Sequence, residues 1–374
     1  MTNQKIMIGS IKILFWYSLF AFSFSSAQTN THMFLEGAAV NGIQSLGDEL
    51  WVSTYGQGIY KYSYKNQVWE NYSTKNNNLE NDLFYCIAAS KDFVWAGSSE
   101  GLFILNRKKN KWTKKKFSQG GEFGNWIRSL KFDESKNMLW IGRFRNISFY
   151  DVKKQTYTDI DRTQGTDLKS NTIKAIEIDG DSLIWFGSES GVHKYYKKGN
   201  PLDPKSWQYI TTKGRNFNAE GKSVSISDFL FEGENIWFGT DEFVTKEEPE
   251  FNLGGLFKFN RKLDWKKYYI GNGLAGNGIY CIERSGNYLW VAVYSFDKNQ
   301  RKEYGKGIVV INRLSGKIEL INLNELDITS SIIKAMYYDG NAIWLGTNEG
   351  LAKINLHNPL ADWTLKKETK KIKK

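Results

Sequence analysis

One short pattern recurs seven times along this chain and leaves few architectures open to it. An apolar residue, Trp, one further residue and usually Gly appear as Leu50-Trp51-Val52-Ser53, Val94-Trp95-Ala96-Gly97, Leu139-Trp140-Ile141-Gly142, Ile184-Trp185-Phe186-Gly187, Ile236-Trp237-Phe238-Gly239, Leu289-Trp290-Val291-Ala292 and Ile343-Trp344-Leu345-Gly346. Successive Trp residues lie 44, 45, 45, 52, 53 and 54 positions apart, the length of a four-stranded unit with its loops. Within one period, Ile173-Lys174-Ala175-Ile176 precedes the turn Asp179-Gly180-Asp181 and the Trp strand follows it. A Gly loop and a third alternating strand come next, and a second aromatic such as Trp112 or Trp265 opens a fourth.

A single twisted sheet of four strands exposes too much apolar area to stand alone, so the copies must pack against one another. Radial closure achieves this while keeping strand edges short. The expected fold is all-β, a single seven-bladed β-propeller spanning residues 33–367, with each signature Trp wedged between blades. Ring closure is open to two solutions: a final strand around Trp363, or His32 to Glu36 pairing onto the last blade, which is favoured. With 41% hydrophobic and 15% aromatic residues and only 4 Pro in 374, collagen-like, disordered and polytopic membrane classes are excluded.

Residues 1–27 differ in kind. Lys5 and Lys12 precede an apolar run from Ile13 to Phe24, and Ser25, Ser26 and Ala27 offer a cleavage site before Gln28. The run is too short to span a bilayer, so it reads as a signal peptide, and the mature chain is expected in the periplasm or secreted, with no transmembrane segment. Removing Lys5 and Lys12 leaves 49 basic against 40 acidic residues, +9, of which the tail 368–374 with the adjoining Lys366 and Lys367 carries +5. A body near +4 argues against nucleic acid as a partner. Cys86 and Cys281 occupy equivalent inner-strand positions in blades two and six, on opposite sides of a ring, and are expected to be free thiols.

The pattern resembles the bacterial two-component-regulator propeller repeat. The likeness rests on the Leu-x-x-Asn-x-Ile lead-in at Leu168 to Ile173 and Leu274 to Ile279, on Trp-x-Gly-Thr at Trp237 to Thr240 and Trp344 to Thr347, and on Gly350-Leu351. It implies a periplasmic, sensor-type propeller, here in free-standing form because no kinase follows before Lys374.

A polar column stands out in the inner strands: Gln44, Tyr85, Arg128, Lys174, Ser227, Tyr280 and Lys334. It should ring one mouth of the channel. The tyrosines offer flat faces and the bases offer donors, which suits an oligosaccharide, especially an acidic one, or an exported partner protein; solvation of an empty mouth is the alternative. Three residues earlier stand Asn41, Asp82, Asn125, Asn171, Val224, Asn277 and Ser331, read as turn caps. Loops after the Trp strands meet the same mouth, two of them long, about 241–254 and 294–307. Arg143-Phe144-Arg145 departs most from the pattern, and Arg143 and Arg145 are expected either to clamp a ligand carboxylate or to pair with Glu189.

Catalytic signals are poor. His32, His193 and His357 lack metal-ligand or nucleophile–base spacing, His193 reads as a strand-surface residue, and Asp228 is a lone acid among small neighbours. No catalytic residue, metal site or cofactor is expected, and the chain is expected to be a monomer. A non-enzymatic recognition module is the first reading; a propeller lyase or hydrolase acting on polysaccharide and a scaffold subunit of an envelope or secretion assembly are the alternatives.

Overall fold

A computed structural model describes residues 31–76 and 79–356. The expected signal peptide, the basic tail, His357 and Trp363 lie outside these residues. Seven four-stranded antiparallel sheets follow one another around a ring, each running from an inner strand outward. Blade one is typical, with strands Ala39–Leu46, Glu49–Tyr55, Ile59–Ser63 and Val68–Tyr72. Blade seven takes its outer strand from the other end of the chain: Thr31–Phe34 pairs with Gly350–Asn355, Thr31 opposite Ile354 and Phe34 opposite Leu351. Closure is therefore made by the N-terminal segment, beginning two residues before the expected start of the propeller.

The signature motif has a steric reason at each position. Every motif Trp is at most 2% exposed and packs toward the next blade, as Trp344 does against Val40, Leu50 and Val52. The Gly two residues on faces the next blade's inner strand at close range. A Cβ on Gly97, Gly142 or Gly187 would stand 2.6–2.7 Å from Ile127, Ile173 or Ile226, closer than packed atoms approach.

The Trp ring has a polar end, and blades use it to join. Indole Nε1 of Trp51 donates to Glu49 at 2.9 Å, that of Trp185 to Asp179 at 3.2 Å and that of Trp237 to Glu232 at 2.7 Å. Each of these carboxylates also grips an arginine from the following blade, Arg107, Arg261 and Arg313. Asp133 and Lys197 make the corresponding pair between blades three and four at 2.8 Å, almost wholly buried. Cys86 and Cys281 are free thiols, and burial raises the pKa of both.

Candidate functional site

The chain enters four of the blades through a loop that an Asn or Asp ties down. Asp82 accepts the backbone N–H of Thr74 at 2.8 Å, Asn125 that of Phe117 at 2.6 Å, Asn171 that of Arg162 at 3.0 Å and Asn277 that of Ile270 at 3.0 Å. Turn duty thus holds for these four members of the expected column, and Asn41 departs from it. Just inside, the inner strands break register by one residue, between Val40 and Gly42, Ile127 and Ser129, Ile173 and Ala175, Ile226 and Asp228, Ile279 and Cys281, and Ile333 and Ala335. A β-bulge leaves its extra residue unpaired and re-aims that side chain. The residues so aimed are Asn41, Arg128, Lys174, Ser227, Tyr280 and Lys334, with Tyr85 at the matching place in blade two.

Gln44 is not among them. It pairs with Trp51, three residues farther down the strand, level with Lys131, Glu177 and Glu283 opposite their own tryptophans. The sequence alignment of blade one slipped because its lead-in Asn41 resembles the cap residues of the other blades, whereas the bulge puts Asn41 in the mouth column.

On the side of blades one to three, the mouth is aromatic. Tyr55 and Tyr85 lie 5.6 Å apart between ring centroids, Tyr85 and Trp126 5.6 Å, and Trp126 and Phe144 stack at 5.1 Å with planes 8° apart. Phe123 continues the series 5.1 Å from Phe144. Tyr55 is 47% and Phe123 44% exposed, while the three rings between them are half-buried, so the arc presents an accessible edge over a packed base. Arg128 sits above Trp126 and Phe144, and its guanidinium pairs with Glu189 at 2.6 Å.

Arg143 is a support for this arc rather than a ligand clamp. It is fully buried, pairs with Asp159 at 2.9 Å, donates to the carbonyls of Gln119 and Gly124 at 2.9 and 2.6 Å, and covers the Phe117 ring. Those carbonyls belong to the loop that carries Phe123 and Trp126. Arg145 stays near the surface, donates to the Leu168 carbonyl at 3.2 Å and lies over Phe144. Neither arginine pairs with Glu189, which Arg128 takes.

Blades four to seven build the other half of the mouth from locked charges. Lys174 pairs with Asp241, which also accepts hydrogen bonds from the hydroxyls of Ser225 and Tyr294. Burial pushes the Asp241 carboxyl up, yet Lys174, Ser225 and Tyr294 together hold it below the usual carboxylate range. Tyr280 stacks on Tyr294 at 4.4 Å and donates to Glu303 at 3.2 Å. Lys334 lies 3.6 Å over the Tyr280 ring and 3.6 Å from Glu303; burial lowers its pKa and Glu303 opposes that shift.

The two long segments expected as loops are extended β-ribbons. Asn235–Phe243 with Asn252–Phe259, and Tyr288–Asp297 with Lys302–Asn312, keep pairing beyond the mouth as far as Phe243 opposite Asn252 and Asp297 opposite Lys302. Glu242 joins them by accepting from Asn277 at 2.9 Å and from the Phe296 N–H at 2.8 Å, and Phe243 meets Phe296 at 4.9 Å. Against this wall opens a cleft of about 290 Å³ bordered by Lys174, Glu189, Asp241, Phe243, Tyr294 and Glu303.

Deeper in the channel, Asp228 accepts the N–H of Phe229 at 2.9 Å and that of Ile282 in the next blade at 2.7 Å. Burial pushes its carboxyl up to about 7, with Glu177 adding to the shift, and burial likewise brings Glu283 to about 7. His193 is buried, not on the strand surface: it contacts the Ser170 carbonyl at 2.7 Å and Tyr209 at 4.5 Å, and burial pushes its pKa down to about 4. Among the described residues no three His, Cys, Asp or Glu side chains gather in a metal-binding group.

The sequence reading missed Phe123 and Trp126. Their signal is the entry to blade three, Gly121-Glu122-Phe123-Gly124-Asn125-Trp126, which holds two aromatics where most other entries are polar.

No protein-family model matches the chain. Histidine kinase P4 of Formosa agariphila is 24% identical over 317 residues, which cover 81% of this chain and 21% of the kinase, so the chain spans about a fifth of that protein. PorZ, described as an essential surface component of the type-IX secretion system of Porphyromonas gingivalis, superposes with a TM-score of 0.59 at 14% identity over 84% of this chain and 46% of its own. The computationally designed protein Ika8 gives 0.53 at 13% identity, over 86% of this chain and 98% of its own. The extracellular domain of BT4673 of B. thetaiotaomicron, a one-component or hybrid two-component system, gives 0.45 at 18% identity over 82% of this chain and 52% of its own. Among the described residues no helix is long and apolar enough to cross a membrane.

Proposed function

We propose that this chain is an exported, non-enzymatic recognition module that binds an uncharged oligosaccharide across the channel mouth. The observation that carries the reading is the five-ring arc from Tyr55 to Phe123, beside a column whose three bases are each matched by a carboxylate. Aromatic faces contact the C–H surfaces of a sugar ring, burying apolar area with little loss of side-chain freedom. Acidic glycan, the ligand first suggested by Arg128, Lys174 and Lys334, is disfavoured because Glu189, Asp241 and Glu303 already hold those cations and would repel a further anion. Likeness to a histidine kinase over the propeller supports a sensing role of this kind.

Titration of the protein with panels of neutral and acidic oligosaccharides, followed by Trp fluorescence, tests the reading. Binding of a neutral member, weakened by Trp126→Ala and by Tyr85→Ala, supports it. Preference for an acidic member, or release of shortened or unsaturated sugars, overturns it in favour of a charge-reading site or a lyase or hydrolase. A scaffold role is the second reading, favoured by the superposition on PorZ; recovery of an envelope protein with the wild-type chain but not with a ribbon variant, and no glycan bound, would select it.

A further inference from the structure

Among the described residues outside the mouth, the densest run of positive charge is at the outer edge of blade two. Between Asn106 and Phe117 the sequence reads Arg107-Lys108-Lys109-Asn110-Lys111-Trp112-Thr113-Lys114-Lys115-Lys116, seven bases and no acid. Strand Lys111–Lys115 is the outermost of its sheet, and the turn before it carries Lys108 and Lys109. Three carboxylates contact the segment: Glu49 holds Arg107 at 2.7 Å, Asp92 meets Lys108 at 3.1 Å and Glu100 meets Lys114 at 2.7 Å. Among the described residues no carboxylate pairs with Lys109, Lys111, Lys115 or Lys116, and Lys109, Lys111 and Lys116 are exposed.

Lysine on an edge strand deters pairing with another chain. That duty does not account for the density here. Five of the other six outer strands, Val68–Tyr72, Thr156–Ile160, Trp207–Ile210, Ile318–Leu320 and Thr31–Phe34, are no longer and carry no lysine. Blade five has Lys266 and Lys267, and Glu220 pairs with the second.

We infer that this rim docks the propeller onto a bilayer surface rich in anionic phosphate headgroups. The chemistry favours a diffuse anionic plane over a discrete ligand. Ammonium groups act as mobile point charges, whereas the one arginine, whose fork could grip a single phosphate, is spent on Glu49 and on the carbonyls of Ser90 and Lys91. Nucleic acid fits less well, because single-strand binding adds stacking aromatics to positive charge. The aromatic of this edge, Trp112, is half-buried against Tyr72.

The test is sedimentation of the full chain with vesicles of phosphatidylcholine alone, or with about a third phosphatidylglycerol. Binding to the anionic vesicles alone, reversed by about 0.5 M salt, is expected because charges at the surface are screened there. Lys108, Lys109, Lys111 and Lys116 changed together to Gln should weaken partition by roughly tenfold or more, with unchanged thermal stability. A second variant with Lys366, Lys367, Lys370, Lys371, Lys373 and Lys374 changed to Gln separates the rim from the tail. Retained binding by this tail variant, with loss in the rim variant, supports the inference. Full binding by the rim variant, no vesicle binding by the wild type, or binding to oligonucleotide without binding to vesicles overturns it.

Discussion

The two halves of the channel mouth are built on the same seven-fold scaffold, yet they differ in what is left free. Blades one to three contribute Tyr55, Tyr85, Trp126, Phe144 and Phe123, rings that touch one another and keep an open edge. Blades four to seven contribute Lys174, Asp241, Tyr280, Tyr294, Glu303 and Lys334, polar groups that satisfy one another. The contrast continues down the channel: opposite the motif Trp, blades four and six place Glu177 and Glu283 where blades one to three hold Gln44, Ala88 and Lys131, and blade five sets Asp228 two residues nearer the mouth. A repeat protein can thus hold the blade backbone constant and vary the bulged position and the segments beside it, leaving rings exposed on one side and charges locked on the other.

The largest effect should come from removing the support of the aromatic side. Arg143→Ala leaves Asp159 without its cation and frees the loop bearing Phe123 and Trp126, so urea unfolding should show a loss of about 3–5 kcal/mol. A loss below about 1 kcal/mol would mean that the loop holds itself and the arc needs no buried anchor. Next comes Trp126→Ala, which should weaken binding of a neutral oligosaccharide by about 2 kcal/mol while moving stability little. Tyr280→Ala, on the locked side, should weaken it far less, and equal losses would erase the distinction between the halves.

Channel protonation offers a smaller test. Asp228 and Glu283 have folded pKa values near 7, above those of an unfolded carboxylate, so the folded state binds more protons between about pH 4 and pH 7. Their contribution to stability is complete below the unfolded pKa and is lost as pH rises through about 7. The difference in Tm between pH 5 and pH 8 should shrink by a few degrees in Asp228→Asn, measured by calorimetry. An unchanged difference would place the carboxyl in an ordinary aqueous setting. The smallest effect expected is that of salt on glycan affinity: between about 0.05 and 0.5 M, isothermal titration should show almost none, because the mouth cations are already paired. Steep salt dependence would return the acidic ligand to consideration.

How far these features can be read from residues alone differs from case to case. Trp-x-Gly is legible because every copy needs the same large ring and five of the seven the same missing Cβ. The identity of the ring-closing strand was partly legible, since Thr31–Phe34 alternates weakly and lacks the Trp mark. Arg128, Lys174, Tyr280 and Lys334 were found as a column, but their partners were not, because Glu189, Asp241 and Glu303 come from other blades, 61, 67 and 31 positions away from Arg128, Lys174 and Lys334. Gln44 was misplaced by three residues, since a bulge changes register without marking the sequence.

Repetition, blade number and the Trp wedges follow from local patterning, because each copy must solve the same packing problem with its neighbour. Which mouth side chains stay available is decided only when the ring closes. Closure brings carboxylates from one blade to the bases of another and stacks rings from three blades into one surface. Such contacts depend on distances across the channel mouth, and no spacing along the chain encodes them.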